Sequence, residues 1–154
     1  QKLQDRDWNG AVFAAAGLER INLQPENYIN LDWMVPAPAQ GAMVVVAMET
    51  DDFCREALAK LNHAETEMCT HIEREFLKTL EGGCTAPIGA LATFTSDKID
   101  FEGVLFSLDG KEKHTIKKSC TFDSYKNFGK NCAEAILNNG GSALMESIRR
   151  DLKK

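Results

Sequence analysis

The sequence predicts an α+β fold whose C-terminal part is a three-stranded antiparallel sheet covered by helices. Three strand-like segments, residues 87–95, 98–108 and 112–120, follow one another closely. Ser96-Asp97 and Asp109-Gly110 stand between them and are typical of hairpin turns. Amphipathic helical patterns precede and follow these strands, which is the arrangement expected when helices cover an antiparallel sheet.

The N-terminal third of the sequence predicts short strands and one extended connection between them. Residues 11–15 (AVFAA) and 28–31 (YINL) have the composition of short strands, and residues 18–23 between them fit one or two helical turns. Two prolines within residues 32–41 predict an extended connection, because proline disfavours helix at the residue before it. Residues 43–47 (MVVVA) then predict a strand buried on both faces of a sheet.

Four helices are predicted in the rest of the chain. The Thr-Asp-Asp sequence of residues 50–52 supplies an N-cap for a helix over about 53–61. Asn62 and Glu65 have the spacing of a capping box and predict that a second helix starts there. The apolar stripe of this second helix is Met68, Ile72, Phe76, Leu77 and Leu80. After the strands, residues 124–138 predict a helix that the Asn-Asn-Gly-Gly sequence of 138–141 ends, and residues 142–152 predict the last one.

Cys84 follows two glycines at the junction between the second predicted helix and the first predicted strand. Glycines allow unusual backbone angles and place no side chain over the neighbouring sulfur, so the thiol is expected to be accessible. The alternative is that Gly82 and Gly83 only cap the helix and that Cys84 is a small core residue, since free cysteine is usually buried. The spacing alone leaves both open.

The cysteines and histidines do not form a recognisable metal site or catalytic pair in the sequence. The five cysteines form no C-x-x-C pair, and reduced thiols in the cytoplasm are the simplest account. His63, Cys69, His71 and Cys84 make a weak zinc candidate because they lack two closely spaced ligand pairs. A Cys84–His71 catalytic pair is disfavoured because the helix separates the two by about 18 Å.

The chain is not expected to have a nucleic-acid or membrane partner. The net charge of −5 disfavours binding to nucleic acid or to an anionic membrane surface. No apolar run approaches the roughly 18 residues that span a bilayer. The first seven residues lack the basic-then-apolar order of a secretory signal.

Three segments carry a resemblance to a known family. Residues 72–84 (IEREFLKTLEGGC) and the Pro-Ile-Gly of 87–89 closely resemble the cofactor-attachment region of porphobilinogen deaminase, also called hydroxymethylbilane synthase. Residues 14–20 (AAAGLER) and 36–42 (PAPAQGA) resemble two upstream motifs of that family in the same order. The resemblance covers the C-terminal half of the family's sequence. Because the chain also starts at Gln1 without methionine, it is interpreted as a fragment.

The resemblance implies a domain organisation. Residues 1–35 would end the family's second domain, and residues 36–61 would form the return segment of its first domain. Both would be pieces of periplasmic-binding-protein-like α/β domains. Residues 62–154 would form the C-terminal cofactor-attachment domain.

The resemblance also implies a cofactor site. Cys84 would carry a dipyrromethane cofactor through a thioether, with Gly83 beside it, Gln40 hydrogen-bonding near the cofactor, and the backbone at Ala14 approaching it. From the residues alone, Gln40 can equally hold its own turn, and Ala14 can reflect tight packing. Ala39 stands where the family usually has glycine and would be strained if that position needs a positive φ.

The implied activity is the condensation of four porphobilinogen molecules into linear hydroxymethylbilane, with release of ammonia, in tetrapyrrole (heme) biosynthesis. The resemblance also implies that the family's catalytic aspartate, and most of the arginines that hold the pyrrole chain, lie in the part of the family's sequence that these 154 residues do not match. The chain alone is therefore expected to be inactive and to contain no catalytic residue. The full-length parent is expected to be a monomer, whereas exposed edges such as 43–47 predict self-association of the fragment.

Two other function classes stay open. The chain can be a non-catalytic binding or assembly module that retains the fold. It can also be an unrelated cysteine-dependent enzyme or metal site, although no base or ligand set stands at a suitable spacing.

Overall fold

The computed structural model describes residues 5, 7–23, 25–80 and 86–152. The chain divides into two units, Gln1–Asp32 and Trp33–Lys154.

Helix α1, Ala15–Arg20, is the regular element of the first unit's described part. Ala14 is its N-cap, and the Ala14 carbonyl accepts the N–H groups of Gly17 (3.0 Å) and Leu18 (3.2 Å). The strands predicted over 11–15 and 28–31 do not form. Their apolar side chains, Val12, Phe13, Tyr28 and Ile29, are exposed. These predictions were wrong because a strand needs a neighbour to satisfy its backbone groups, which composition does not reveal.

The second unit begins with an extended segment that leads to a short helix. The strand predicted over 43–47 is also wrong, since these residues pair with no strand in the described part of the chain. The exposed fractions of the side chains from Met43 to Val46 lie between 64% and 87%. Helix α2, Asp52–Ala59, follows, and its predicted N-cap is confirmed because Asp51 Oδ1 accepts the N–H of Cys54 at 3.0 Å.

Helix α3, Ala64–Thr79, begins later than its capping box predicts. The N-cap is His63, whose Nδ1 accepts the N–H of Thr66 at 3.3 Å. Asn62 instead donates from Nδ2 to Glu67 Oε2 at 2.6 Å. The imidazole nitrogen thus takes the acceptor role that the sequence pattern assigns to Asn62. The predicted apolar stripe is confirmed, with Ile72, Phe76 and Leu80 fully buried.

The predicted three-stranded antiparallel sheet is confirmed. It consists of β1 (Ile88–Phe94), β2 (Ile99–Phe106) and β3 (Lys113–Cys120), in the order β1-β2-β3. The register pairs Ala92 with Phe101 and Gly103 with Ile116. A Cβ on Gly103 would stand 2.6 Å from the Phe76 ring, so this glycine lets α3 pack closely on the sheet.

The C-terminal helices complete the cover of the sheet. The predicted helix over 124–138 is a 3-10 helix, Phe122–Asn127, followed by α4, Phe128–Ile136. The predicted break is confirmed, since Gly140 has a φ of 100° within Leu137–Gly141, and α5 spans Ser142–Leu152. A Cβ on Gly129 would overlap the carbonyl oxygen of Ile72, so α4 and α3 are in backbone contact there.

The hydrophobic core lies between the sheet and helices α3, α4 and α5. Phe76 meets Phe101 edge to face with ring centroids 5.2 Å apart, and Phe101 meets Phe128 in the same way at 6.2 Å. The other large, fully buried side chains of this core are Ile72, Leu80, Ile99, Leu105, Cys132, Met145 and Ile148. Among the described helices, none combines the length and apolar character needed to cross a bilayer.

Candidate functional site

The segment over residues 35–42 lies along the free edge of β1. The N–H of Ala90 donates to the Pro36 carbonyl at 2.9 Å. A Cβ on Gly89 would stand 2.9 Å from the carbonyl oxygen of Val35 and 3.2 Å from that of Pro36, so a side chain at this position would push the segment away. Backbone contacts thus join the proline-rich connection to the sheet.

Two consecutive turns shape residues 37–42. The N–H of Gln40 donates to the Ala37 carbonyl at 3.0 Å, with Pro38 and Ala39 as the central residues. Ala39 has a φ of 58°, and proline followed by a positive φ is typical of a type II turn. The N–H of Ala42 then donates to the Ala39 carbonyl at 3.2 Å, and Gly41 has a φ of 85°. The positive φ considered for Ala39 from the sequence is therefore present.

Glu73 joins this loop to α3 and β1. Its Oε2 accepts the N–H of Ala39 at 2.6 Å, and its Oε1 accepts the N–H of Ala92 at 2.8 Å. Glu73 is only 5% exposed. Burial raises the pKa of its carboxyl above the ordinary value, and the two N–H groups offset part of that rise.

Sequence reasoning missed Glu73, although a signal was present. Cys69, Glu73, Phe76 and Leu80 recur at intervals of four, three and four, so Glu73 lies in the buried stripe of α3. A carboxylate within an apolar stripe needs donors from the surrounding structure. Which groups donate could not be read from the spacing, because Ala39 is 34 residues away.

The predicted cofactor residues fall in three places. Gln40 is exposed on its turn, and its side chain makes no hydrogen bond within the described residues. Ala14 lies in the first unit, at the start of α1. Cys84 and Gly83 lie outside the described residues. The accessibility of the Cys84 thiol therefore stays a prediction. The flanking residues are held in the core, since Leu80 is fully buried and Ala86 packs against the core cluster.

The other cysteines are poor nucleophiles. Burial raises the pKa of the Cys132 thiol to about 11 and also raises the pKa values of Cys69 and Cys120. A hydrogen bond with Asp51 raises the pKa of Cys54. Because the thiolate is the reactive form, none of these four is activated near neutral pH.

The histidines considered as metal ligands or bases have other contacts. His63 caps α3. The Nε2 atom of His71 lies 2.9 Å from the carbonyl oxygen of Lys126, and the imidazole ring meets the Tyr125 ring edge to face. Within the ranges that the structure describes, no three His, Cys, Asp or Glu side chains are grouped as metal ligands.

Two family models match the chain. Residues 1–56 match one described as "Porphobilinogen deaminase, dipyromethane cofactor binding domain", and residues 67–138 match "Porphobilinogen deaminase, C-terminal domain". The first match includes Ala14 and Gln40, and the second includes Glu73 and Cys84.

Curated relatives align along the whole chain. The porphobilinogen deaminase of Macrococcus caseolyticus is 34% identical over 154 residues, which covers 98% of this chain and 50% of that protein. Those of Carboxydothermus hydrogenoformans (33%, covering 98% and 49%) and Desulfitobacterium hafniense (36%, covering 100% and 50%) are similar. The chain spans about half the length of these relatives.

Proposed function

The chain belongs to the porphobilinogen deaminase family, and we propose that it serves the condensation of four porphobilinogen molecules into linear hydroxymethylbilane with release of ammonia. The observation that carries the proposal is the match of both parts of the chain, residues 1–56 and 67–138, to models of this enzyme. The substrates are porphobilinogen and the growing pyrrole chain, in a cytoplasmic protein of heme biosynthesis.

Cys84 is the residue that anchors the dipyrromethane. Loss of ammonia from porphobilinogen would leave an azafulvene, and a cysteine thiolate would add to its exocyclic methylene carbon while the ring nitrogen takes up a proton. The resulting thioether is stable in water. The raised pKa values of Cys54, Cys69, Cys120 and Cys132 support this assignment, because they leave Cys84 as the candidate nucleophile. When bound, the dipyrromethane supplies the primer to which further pyrrole units are added.

Gln40, Ala14 and Gly83 are the further residues that we propose to bind the cofactor. The Gln40 amide has both a donor and an acceptor, which suit pyrrole N–H groups and carboxylate substituents. Its exposure on a turn that a hydrogen bond from Ala39 to Glu73 joins to α3 supports this role. Ala14 precedes α1 as its N-cap and carries only a methyl side chain, so no large side chain blocks the approach of a ligand to its backbone.

The 154 residues supply the anchor rather than the whole catalytic apparatus. Residues 1–35 and 36–61 belong to two periplasmic-binding-protein-like domains, and residues 62–154 to the cofactor-attachment domain. The six arginines of the sequence are scattered, whereas a polyanionic pyrrole chain needs clustered cations. We therefore expect no turnover by this chain alone. We also expect the full-length enzyme to be a monomer.

A second candidate function is that of an assembly module without catalysis. The exposed apolar side chains from Met43 to Val46 favour it, because such a run suits pairing with another polypeptide segment. Formation of a thioether on Cys84 would distinguish the enzymatic role from this one.

The test is the intact mass of the protein after incubation with porphobilinogen and the N-terminal half of a relative, followed by peptide mapping. We expect the mass of two linked pyrroles on the peptide that contains Cys84. The Cys84→Ser variant should lose this added mass, and the control Cys54→Ser should keep it. An adduct on another cysteine, or no adduct, would contradict the proposal.

A further inference from the structure

Three elements of the second unit meet at the Glu73 carboxylate. Glu73 belongs to α3, one of its oxygens accepts the N–H of Ala39 in the loop over 37–42, and the other accepts the N–H of Ala92 in β1. Each oxygen therefore serves a different element. No other hydrogen bond among the described residues joins that loop to α3.

The free edge of β1 explains why an acceptor is needed there. Among the strands of the described ranges, β1 pairs with β2 alone, so alternate N–H groups of β1 face away from the sheet. The N–H of Ala90 is satisfied by the Pro36 carbonyl, and that of Ala92, two residues further on, by Glu73. The carboxylate thus takes the place of a missing strand at one position.

The carboxylate makes these contacts without a cation. Within the described ranges, no Lys, Arg or His forms an ion pair with Glu73. The loop and β1 carry no charged side chain, and Cys69 on the same helix is the titratable group whose pKa responds to Glu73. Both contacts come from donors, so the site requires a group that accepts at both ends.

The backbone of Ala39 is held in a conformation that alanine rarely adopts. Its positive φ is unfavourable for a residue with a Cβ and persists only where the surroundings fix it. The Glu73 contact fixes the N–H of this residue, and the adjacent turn carries Gln40.

We propose that Glu73 is a positioning residue, whose ionised carboxylate fixes the loop over 37–42 to α3 and β1 and so holds Gln40 at a set distance from the end of α3. The helix ends at Thr79, five residues before Cys84. The relevance of this distance to the cofactor rests on the proposed function. The role of the carboxylate itself does not.

The first test needs no substitution. In the ¹⁵N-labelled protein, the amide protons of Ala39 and Ala92 should shift together as the pH is lowered, following one titration curve. The reason is that a single carboxylate accepts from both groups and loses much of its acceptor strength on protonation. Two unrelated curves, or no titration of either amide, would overturn the proposal.

The second test removes one acceptor and keeps the shape. In Glu73→Gln, the amide NH₂ must face one of the two N–H donors, so the shared titration should vanish. Hydrogen exchange at Ala39 or Ala92 should become at least about tenfold faster, as expected for losing a hydrogen bond to a charged group. Glu65→Gln, an exposed change on the same helix, is the matched control and should alter neither amide.

The Glu73→Asp variant distinguishes the effect of the negative charge from the effect of side-chain length. It keeps the carboxylate but shortens the side chain, so at least one amide should retain a titration that Glu73→Gln lacks. Equal behaviour of the two variants would contradict the role of the charge. Because all these readings concern amides rather than thioether formation, they fail or succeed independently of the adduct experiment on Cys84.

Discussion

Residues 43–61 and residues 62–152 belong to the same unit but differ in what they do with apolar side chains. In the first region, Met43 to Val46 are exposed, and no residue of α2 is buried, with Phe53 83% exposed. In the second region, Ile72 and Phe76 are fully buried between helices and sheet. Both regions contain large apolar side chains. They differ in whether neighbouring helices or strands cover those side chains.

The largest expected contrast is between two phenylalanines. Phe76→Ala removes a ring that packs on Phe101 and Gly103, and it should lower the free energy of unfolding by about 3–5 kcal/mol. Phe53→Ala should change it by less than about 0.5 kcal/mol, because that side chain is already exposed. Urea denaturation measures both. Similar losses would mean that α2 is covered as well as α3.

A second contrast compares two helical glycines. Gly129→Ala places a Cβ against the Ile72 carbonyl and should lower the free energy of unfolding by about 1–3 kcal/mol. Gly17→Ala in α1 has open space and should instead favour its helix by about 0.5–1 kcal/mol. Thermal unfolding followed by circular dichroism compares them. A neutral Gly129→Ala would argue against the close contact of α3 and α4.

Ala39→Gly sharpens the contrast at the loop that adjoins both regions. Glycine accepts a φ of 58° without the steric cost that alanine bears, so the free energy of unfolding should rise by about 1 kcal/mol. Ala37→Gly in the same loop is the control and should not stabilise. A destabilised Ala39→Gly variant would show that this φ carries no strain.

The pH dependence of the free energy of unfolding should reveal the protonation of the Glu73 carboxyl. This carboxyl has a raised pKa in the folded protein, so folding takes up a proton between the unfolded and folded pKa values. The contribution of Glu73 to the free energy of unfolding should therefore fall as pH rises through that interval and be constant above it. Glu73→Gln should lose this slope in denaturation curves taken across the interval, whereas Glu65→Gln should keep it.

The smallest effect on stability is expected in the exposed apolar run. Val44→Lys should change the free energy of unfolding by less than about 0.5 kcal/mol, because Val44 is exposed, and should reduce any self-association. Analytical ultracentrifugation compares the variant with the parent chain. A large loss of stability would show that this run is covered.

The candidate site was predictable only in part. The motif of residues 36–42 drew attention to Gln40 and Ala39, and the positive φ of Ala39 agrees with the strain considered from the sequence. Glu73 was missed because its role depends on donors 34 and 19 residues away. The proposed anchoring by Cys84 stays a prediction that the adduct experiment tests.

The sequence by itself determined the elements whose signals are local. Strand-like segments separated by hairpin turn signals predicted β1 to β3, and the Thr-Asp-Asp sequence of 50–52 and the Asn-Asn-Gly-Gly sequence of 138–141 marked helix ends. The tertiary structure decided which apolar runs are buried and where the Glu73 carboxylate finds its donors. The physical reason is that turns and caps are formed by neighbouring residues, whereas burial and strand pairing need partners that lie far apart in the chain.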